Sequence, residues 1–446
     1  MMTRDEFFRA LLQAARDAGA EEAEAFFLQS ESMRALARQG EIDDYSVNQS
    51  GGLSLRVLKD GKVGSAFTEA LDEQAIPMLV QNALKSAALI DDADEQFFFA
   101  GSPEYADVSC QGDAGTPQQR IAMALALDRD ARKIDPLVTE LGLYTGVETG
   151  RGTLRLTNTL GLDLSHTWDE CACFVSTIAR RDARTTSGFA MDWGQRLCAL
   201  DPEKTCREAV ESAVFLLDAK PCKSGTMPVI FRNDCMPSLL GAFCGIFSAE
   251  AAQKGLSLLN GREGEKIAAD CITLVDDPLL AGGAATRPFD LEGVATYRKE
   301  IISAGKLATL LHNLKTAKKA GCKTTGNASR GGYASSVGVS PSNLYLCPGT
   351  KSLQALCAQM GSGLVVTGLS GLHAGADPIS GDFSLLCEGY LVENGQKSRP
   401  IDQVTVAGNF YRLLQDAVAV GDDLKFPSGA LGSPSVLVGA LTVAGQ

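Results

Sequence analysis

Histidine is scarce in this chain of 446 residues: there are three, His166, His312 and His373, far apart in sequence. No His-x-x-x-His or His-Glu-x-x-His pair can be written. That excludes the commonest helical way of holding a catalytic zinc ion, which needs neutral imidazoles at helical spacing and one position left open for water. There is no C-x-x-C either. The 13 cysteines are odd in number and scattered, and the closest pair is Cys171 and Cys173. Small buried thiols in a reducing compartment are the expectation. No apolar stretch approaches the roughly 20 residues that a membrane helix requires. The polar start, Met1-Met2-Thr3-Arg4-Asp5-Glu6, lacks the apolar core of a signal peptide, so a cytoplasmic location is expected. Basic residues are also outnumbered, 41 Lys and Arg against 54 Asp and Glu, for a net charge of −13. A phosphate backbone would be repelled, which argues against nucleic-acid partners.

Phosphate and nucleophile signatures are missing too. Gly261 to Lys266 lacks the spacing and the Ser/Thr of a P-loop. Gly361 and Gly363 lack a third glycine at the dinucleotide spacing. Gly368-Leu369-Ser370-Gly371 is one residue short of a nucleophile elbow.

What is present reads as a folded α+β protein of two or three domains, with 45% hydrophobic residues and 46 glycines. Thr3 and Glu6 form a capping box ahead of Phe7, Phe8, Leu11, Leu12 and Ala15 on one helical face. Strands are expected at 24–28, 32–37 and 42–48. Leu53, Leu55 and Val57 alternate into a tight hairpin at Asp60-Gly61. A helix follows around Ile76, Leu79, Val80 and Ala83. The segment 91–115, opening with Asp91-Asp92-Ala93-Asp94, reads as a polar connection, and 118–134 as a helix. Strands come next at 154–156, 162–164 and 173–178. Asp201-Pro202 starts a helix that runs to about Leu217. Ala219 to Gly225 is the best domain boundary. Beyond it lie a buried strand at 227–231, an apolar helix at 239–247 and a series of strands with Gly-rich turns, including a hairpin at Asn394-Gly395. The expectation is an N-terminal α+β region, 1–220, of helices packed on an antiparallel meander, with a break near 91–116. A β-rich C-terminal domain with a few helices, 221–446, would follow.

Single residues offer little chemistry. His373 sits in a loop-like setting near Asp377, where an acid–base group is conceivable, but a ring hydrogen-bonded to a turn is the commoner role. Cys387 lies inside a strand with no cationic neighbour, as a core thiol would. Glu250, at a helix end, fits a solvated carboxylate better than a ligand. The residues alone give no self-contained catalytic constellation.

The order of several short motifs is more telling. Pro288-Phe289-Asp290-Leu291-Glu292-Gly293-Val294 is followed by Thr324-Thr325-Gly326-Asn327-Ala328, by Asp377-Pro378-Ile379-Ser380-Gly381-Asp382-Phe383-Ser384, by Val406-Ala407-Gly408-Asn409 and by Val420-Gly421-Asp422-Asp423. With Gly51-Gly52-Leu53-Ser54-Leu55-Arg56-Val57 near the start, this series resembles the TldD/PmbA family over nearly the whole length. In that family TldD-type subunits resemble zinc peptidases, with H-E-x-x-x-H on a helix after the first C-terminal strand and a late cysteine in a C-G-K-x-G-Q-like segment. PmbA (TldE) subunits lack both elements. Here the helix reads Leu239-Leu240-Gly241-Ala242-Phe243-Cys244-Gly245 and the late segment Phe426-Pro427-Ser428-Gly429-Ala430-Leu431-Gly432. The resemblance therefore implies a PmbA/TldE-type chain with no catalytic residue and no metal ligand of its own. It would pair with a TldD-type paralogue that carries the zinc, and the pair would act on unfolded peptides. Gly381, Asp382, Phe383 and Ser384 are the expected wall of a peptide cleft. Two other readings stay open: a self-contained metallopeptidase with an atypical site built from Cys, Asp or Glu, and a homo-oligomeric peptide-binding protein. A homodimer of the isolated chain is compatible with all three. The label "modulator of DNA gyrase", carried by some members, fits an indirect effect better than DNA contact for so acidic a chain.

Overall fold

The computed structural model describes residues 2–90, 97–109, 112–427 and 429–446. The Asp91-Asp92-Ala93-Asp94 part of the expected connection lies outside the described residues.

Helix α1 (Arg4–Asp17) starts at the capping box: the Thr3 hydroxyl accepts the Glu6 N–H, and the Glu6 carboxylate accepts that of Thr3. Three long strands follow, β1 (Glu22–Arg38), β2 (Glu41–Lys59) and β3 (Lys62–Thr68), then α2 (Ala75–Ala88) and α3 (Pro117–Ile134). The segments expected at 24–28 and 32–37 are one strand. The polar residues between them stay extended because β1 is paired on both sides, so its backbone groups are satisfied whatever the side chains. Gly51-Gly52 likewise does not interrupt β2. A Cβ on Gly51 would lie 3.0 Å from the Leu28 carbonyl oxygen, and one on Gly52 only 2.5 Å from the Tyr333 ring, so both glycines serve close approach rather than a turn. The hairpin at Asp60-Gly61 forms as its sequence requires, with φ of 50° and 73°.

Next come β4 (Val138–Leu141), β5 (Gly146–Asn158), β6 (Asp163–Arg181), β7 (Arg184–Gly194) and α4 (Pro202–Leu216), whose first turn is capped by Asp201. β1 to β7 form one antiparallel sheet in the order β3-β2-β1-β5-β6-β4, with β7 on the free side of β6. The odd-numbered face of β1 is covered by helices. Phe27, Leu53 and Leu55 meet Phe8, Leu11 and Leu79 at one end, and Met33 and Ala35 join Leu127, Cys173 and Val210 at the other. The opposite face turns to the C-terminal half, where Phe26, Leu154 and Leu156 pack on Phe289 and Leu291.

The second half begins with β8 (Gly225–Phe231), α5 (Met236–Phe243) and α6 (Ala249–Gln253). The single helix expected at 239–247 breaks into a 3-10 turn at Cys244–Phe247, and Ser248 caps a fresh start at Ala249, its hydroxyl accepting the Ala251 N–H. Then follow β9 (Leu274–Asp276), β10 (Lys299–Ser303), β11 (Lys306–Leu307), α7 (Leu314–Ala320), β12 (Ala328–Ser329), β13 (Gly338–Val339), β14 (Leu344–Leu346) and α8 (Leu353–Met360). The chain ends with β15 (Gly363–Ser370), α9 (Leu372–Gly375), β16 (Asp382–Glu393), β17 (Gln396–Asn409), α10 (Phe410–Gln415), β18 (Ala417–Val420), β19 (Leu431–Gly432) and β20 (Val436–Ala444). The sheet β17-β16-β15-β8-β20 closes on itself, because β17 also pairs with β20. Its main core gathers Phe231, Phe243, Phe247, Phe383 and Phe410. The fold is α+β with mainly antiparallel sheets, as the sequence implied; β8 with β15 and β14 with β19 pair in parallel. No helix among the described residues is long and apolar enough to cross a membrane.

Candidate functional site

The three histidines stand in separate places. His166, on β6, contacts the Thr286 carbonyl oxygen through Nε2 at 3.1 Å and stacks on Trp168, and burial holds its pKa below the usual value. His312 is buried ahead of α7, with Nε2 3.8 Å from the Cys322 thiol, and burial lowers its pKa as well. His373 is exposed on the four-residue α9. Among the described residues no three His, Cys, Asp or Glu side chains gather as a metal-binding group.

Helix α5 carries neither imidazole nor carboxylate. Phe243 lies face to face with Phe410, centroids 4.6 Å apart, and meets Phe383 edge-on at 6.3 Å. Leu239, Leu240 and Phe247 are fully buried around it. In the late segment, Phe426 packs edge-on against Tyr345 at 5.6 Å. This donor set does not fit a zinc ion, which takes nitrogen, sulfur or carboxylate oxygen and tolerates no ring stack in their place. Cys387 is a buried thiol whose pKa burial pushes up to about 12, which disfavours the nucleophilic thiolate at neutral pH. Glu250 pairs with Lys254 at 2.6 Å.

The motif carboxylates are structural. Asp290 accepts the N–H groups of Glu292, Val294 and Ala328 at 2.9 to 3.0 Å and so ties its loop shut. Asn327 donates to Asp276 at 2.7 Å; Asp276 also takes Lys299 at 3.0 Å and both the N–H and the hydroxyl of Ser342 at 2.6 Å. Asp423 accepts the N–H and hydroxyl of Ser435 at 2.8 and 2.7 Å. Each buried carboxylate is satisfied, as burial demands.

A wide opening lies elsewhere. A cleft of about 1190 Å³ runs between the N-terminal sheet and the closed C-terminal sheet. One wall is five consecutive residues of β7, Ser187 to Met191, together with α4. The other is the outer face of the C-terminal sheet, with Thr367, Glu388, Tyr390 and Lys397, and the loop at Asp423 to Lys425. Among the described residues β7 pairs only with β6, so its far edge presents backbone groups without a strand partner to the opening. Gly188 fixes how closely α4 approaches: a Cβ there would fall 2.1 Å from the Ala209 carbonyl oxygen. Across the cleft Lys425 bridges Asp234 at 2.7 Å and Glu208 at 3.6 Å, and Asp234 also pairs with Arg232. These ion pairs tie the two walls together at one end. Lys397 sits over the rings of Phe215, at 3.8 Å, and Tyr390, at 4.8 Å. Burial raises the Glu388 pKa, Asp402 adds to this, and Arg232 opposes it.

The turn expected to wall a cleft does not line this opening. Gly381 takes φ of 83° because a Cβ would sit 2.4 Å from the Tyr411 ring. Asp382 accepts from Asn409 at 2.8 Å, Phe383 is core, and Ser384 is exposed. By strand alternation Asp382 and Ser384 lie on the same face of β16 as Glu388. The β7 edge was not read from the sequence. Its one signal is Phe189, Met191 and Trp193 alternating with Gly188 and Ala190, a strand with apolar groups on both faces.

Comparison with known proteins agrees with this architecture. The chain matches the PmbA/TldA metallopeptidase domain 1 over residues 23–87, the central domain over 114–217 and the C-terminal domain over 224–445. It is 28% identical over 418 residues to the metalloprotease PmbA of Escherichia coli O157:H7, covering 92% of this chain and 89% of that one. A Thermotoga maritima protein named for modulation of a DNA gyrase superposes with a TM-score of 0.91 at 35% identity, over 99% of this chain and 100% of the other. TldE from Thermococcus kodakarensis, at 23% identity, shares the fold with a TM-score of 0.88, over 98% and 100%. With three consecutive domain matches along its length, the chain belongs to the PmbA/TldD metallopeptidase family.

Proposed function

We propose that this chain is the non-catalytic, TldE-type subunit of a cytoplasmic two-subunit zinc metallopeptidase that acts on unfolded peptides. The observation that carries the reading is the packing of α5. At the helix where zinc-bearing members of the family hold the metal, this chain places Phe243 in a stack with Phe410. Among the described residues no group of three metal-binding side chains stands there, which supports a zinc site outside this chain. The zinc would be held by a TldD-type paralogue.

This subunit's own contribution would be to hold substrate. The exposed edge of β7 offers backbone donors and acceptors at every second residue, and an extended peptide can add to it as a further strand. Main-chain pairing of this kind requires an unfolded segment and sets little sequence preference. The ion pairs at Lys425 would keep the two cleft walls in register, and Asp382 and Ser384 would extend the β16 wall beyond the cleft.

The test is hydrolysis of an unfolded protein by this chain, by its TldD-type paralogue, and by both together, with zinc quantified in each sample. Zinc tracking the paralogue, and full hydrolysis only when both are present, is the expected result. Zinc-dependent hydrolysis by this chain alone would overturn the proposal.

A further inference from the structure

Phe189 and Met191 line a second cavity as well as the cleft. It has a volume of about 480 Å³ and opens over β5, β6 and β7 on the face turned away from α3 and α4. Its walls are aromatic: Tyr144, Phe174, Phe189 and Trp193. Two of these are largely in solvent, Tyr144 at 61% and Phe189 at 57% exposure, which is unusual for rings without a partner. Two carboxylates, Glu148 and Glu170, complete the lining. Gly150 makes room for one of them, since a Cβ there would meet Glu170 Oε1 at 2.6 Å. The two acids occupy neighbouring strands on one face, because Glu148 faces Ala172 and Gly150 faces Glu170. Burial raises the Glu170 pKa and the Glu148 charge adds to it, with no cation offsetting either effect. Arg34 stands opposite Glu148 on β1 but is paired with Asp44 at 3.2 Å, so the two acids beside four rings are complementary to a further cation carried on an apolar stem. The rings offer their negative faces and the carboxylates a charge to pair.

We infer that this cavity is a subsite for one basic side chain, lysine or arginine, of an extended peptide held along β7; the inference rests on the peptide-binding reading above. A strand added to β7 would raise alternate side chains on the face that carries Phe189, Met191 and Trp193. To reach Glu170 from there, a side chain must cross β7 and arrive over β6. Lysine and arginine are long enough, and their stems cover apolar surface on the way. A short side chain stops over Phe189, and an acidic one meets two like charges. Main-chain pairing would thus accept almost any unfolded segment, while the cavity favours registers that place a basic residue opposite it.

The test uses the intact chain and three blocked, unstructured peptides of Gly, Ser and Val that differ only in a central Arg, Gln or Glu. Blocked arginine, N-acetyl-arginine methylamide, serves as a small probe. The chain has two tryptophans, Trp168 and Trp193, so a Trp168→Phe background makes Trp193 the fluorescent reporter. The Arg peptide should bind about tenfold or more tighter than the Gln peptide, with the Glu peptide weakest. The joint substitution Glu148→Gln and Glu170→Gln should remove the Arg advantage and leave Gln-peptide affinity unchanged. Equal binding of the Arg and Gln peptides, or an Arg advantage that survives the joint substitution, would overturn the subsite while leaving the cleft standing. Blocked arginine quenching Trp193, with the effect lost in the joint variant and no peptide bound, would support the cation site and remove the cleft.

Discussion

Helix α5 and strand β7 make an instructive pair. On the buried face of α5 Phe243, Phe383 and Phe410 interlock, while the exposed Ser238 on its other side reaches the cleft. Along β7 five consecutive residues face an opening of about 1190 Å³, and among the described residues one edge has no strand partner. The contrast has a physical origin. A buried helix without a metal cannot keep imidazoles and carboxylates, because polar groups without partners are costly in a core. Rings that pack as densely as the rest of the interior are the stable replacement. An exposed strand edge is a liability for aggregation and is ordinarily blunted or covered. One kept open beside a cleft is what the proposed peptide-binding role would require.

The difference can be sharpened from its largest expected effect downward. Phe243→Ala should cost about 3–5 kcal/mol of stability, the usual range for emptying a buried ring site, measured by urea unfolding. A loss below about 1 kcal/mol would mean that α5 is loosely packed and open to ligands. Gly188→Ala should cost about 1–3 kcal/mol, since the new methyl collides with the backbone of α4 and must push the helix away. The same variant should weaken binding of unfolded peptide, because α4 lines the cleft; unchanged affinity would separate the cleft from the binding surface.

The third effect is a pH dependence. Burial raises the Glu388 pKa first, and Asp402 second. A raised carboxylate favours the folded state fully below its ordinary value, and that contribution is lost as pH climbs through the raised value. Native chain should therefore lose stability across that window relative to Glu388→Gln, with the two curves parallel below it. Urea midpoints taken from pH 4 to pH 8 would reveal this; parallel curves throughout would mean that Glu388 is well solvated. The smallest effect is at Lys397, between Phe215 and Tyr390. Lys397→Met keeps the stem and removes the charge, and should cost about 0.5–1 kcal/mol in thermal unfolding.

Features set by neighbours in sequence were legible. The Thr3–Glu6 capping box, the Asp201 cap and the hairpins at Asp60-Gly61 and Asn394-Gly395 form as read. The want of zinc donors on α5 was equally plain, because it concerns residue types and not their placement. The strands expected at 42–48 and around Leu53 to Val57 are one strand, and Gly51-Gly52 inside it answers to Leu28 and Tyr333, which the local pattern does not contain. The cleft was hidden for the same reason on a larger scale. Ser187, Glu208, Asp234, Glu388, Lys397 and Lys425 come from six separate segments, and each alone is an ordinary polar surface residue. The motifs around Asp290 and Asn327 pointed to the family and turned out to brace the interior, which explains why they identify the fold without marking the cleft.

Hydrogen exchange of the intact chain with and without a saturating unfolded peptide tests the contrast most directly. The account predicts new protection at residues 187–191 of β7, at alternate amides, and none at 239–247. Protection that appears around α5 while the β7 edge exchanges unchanged would contradict it.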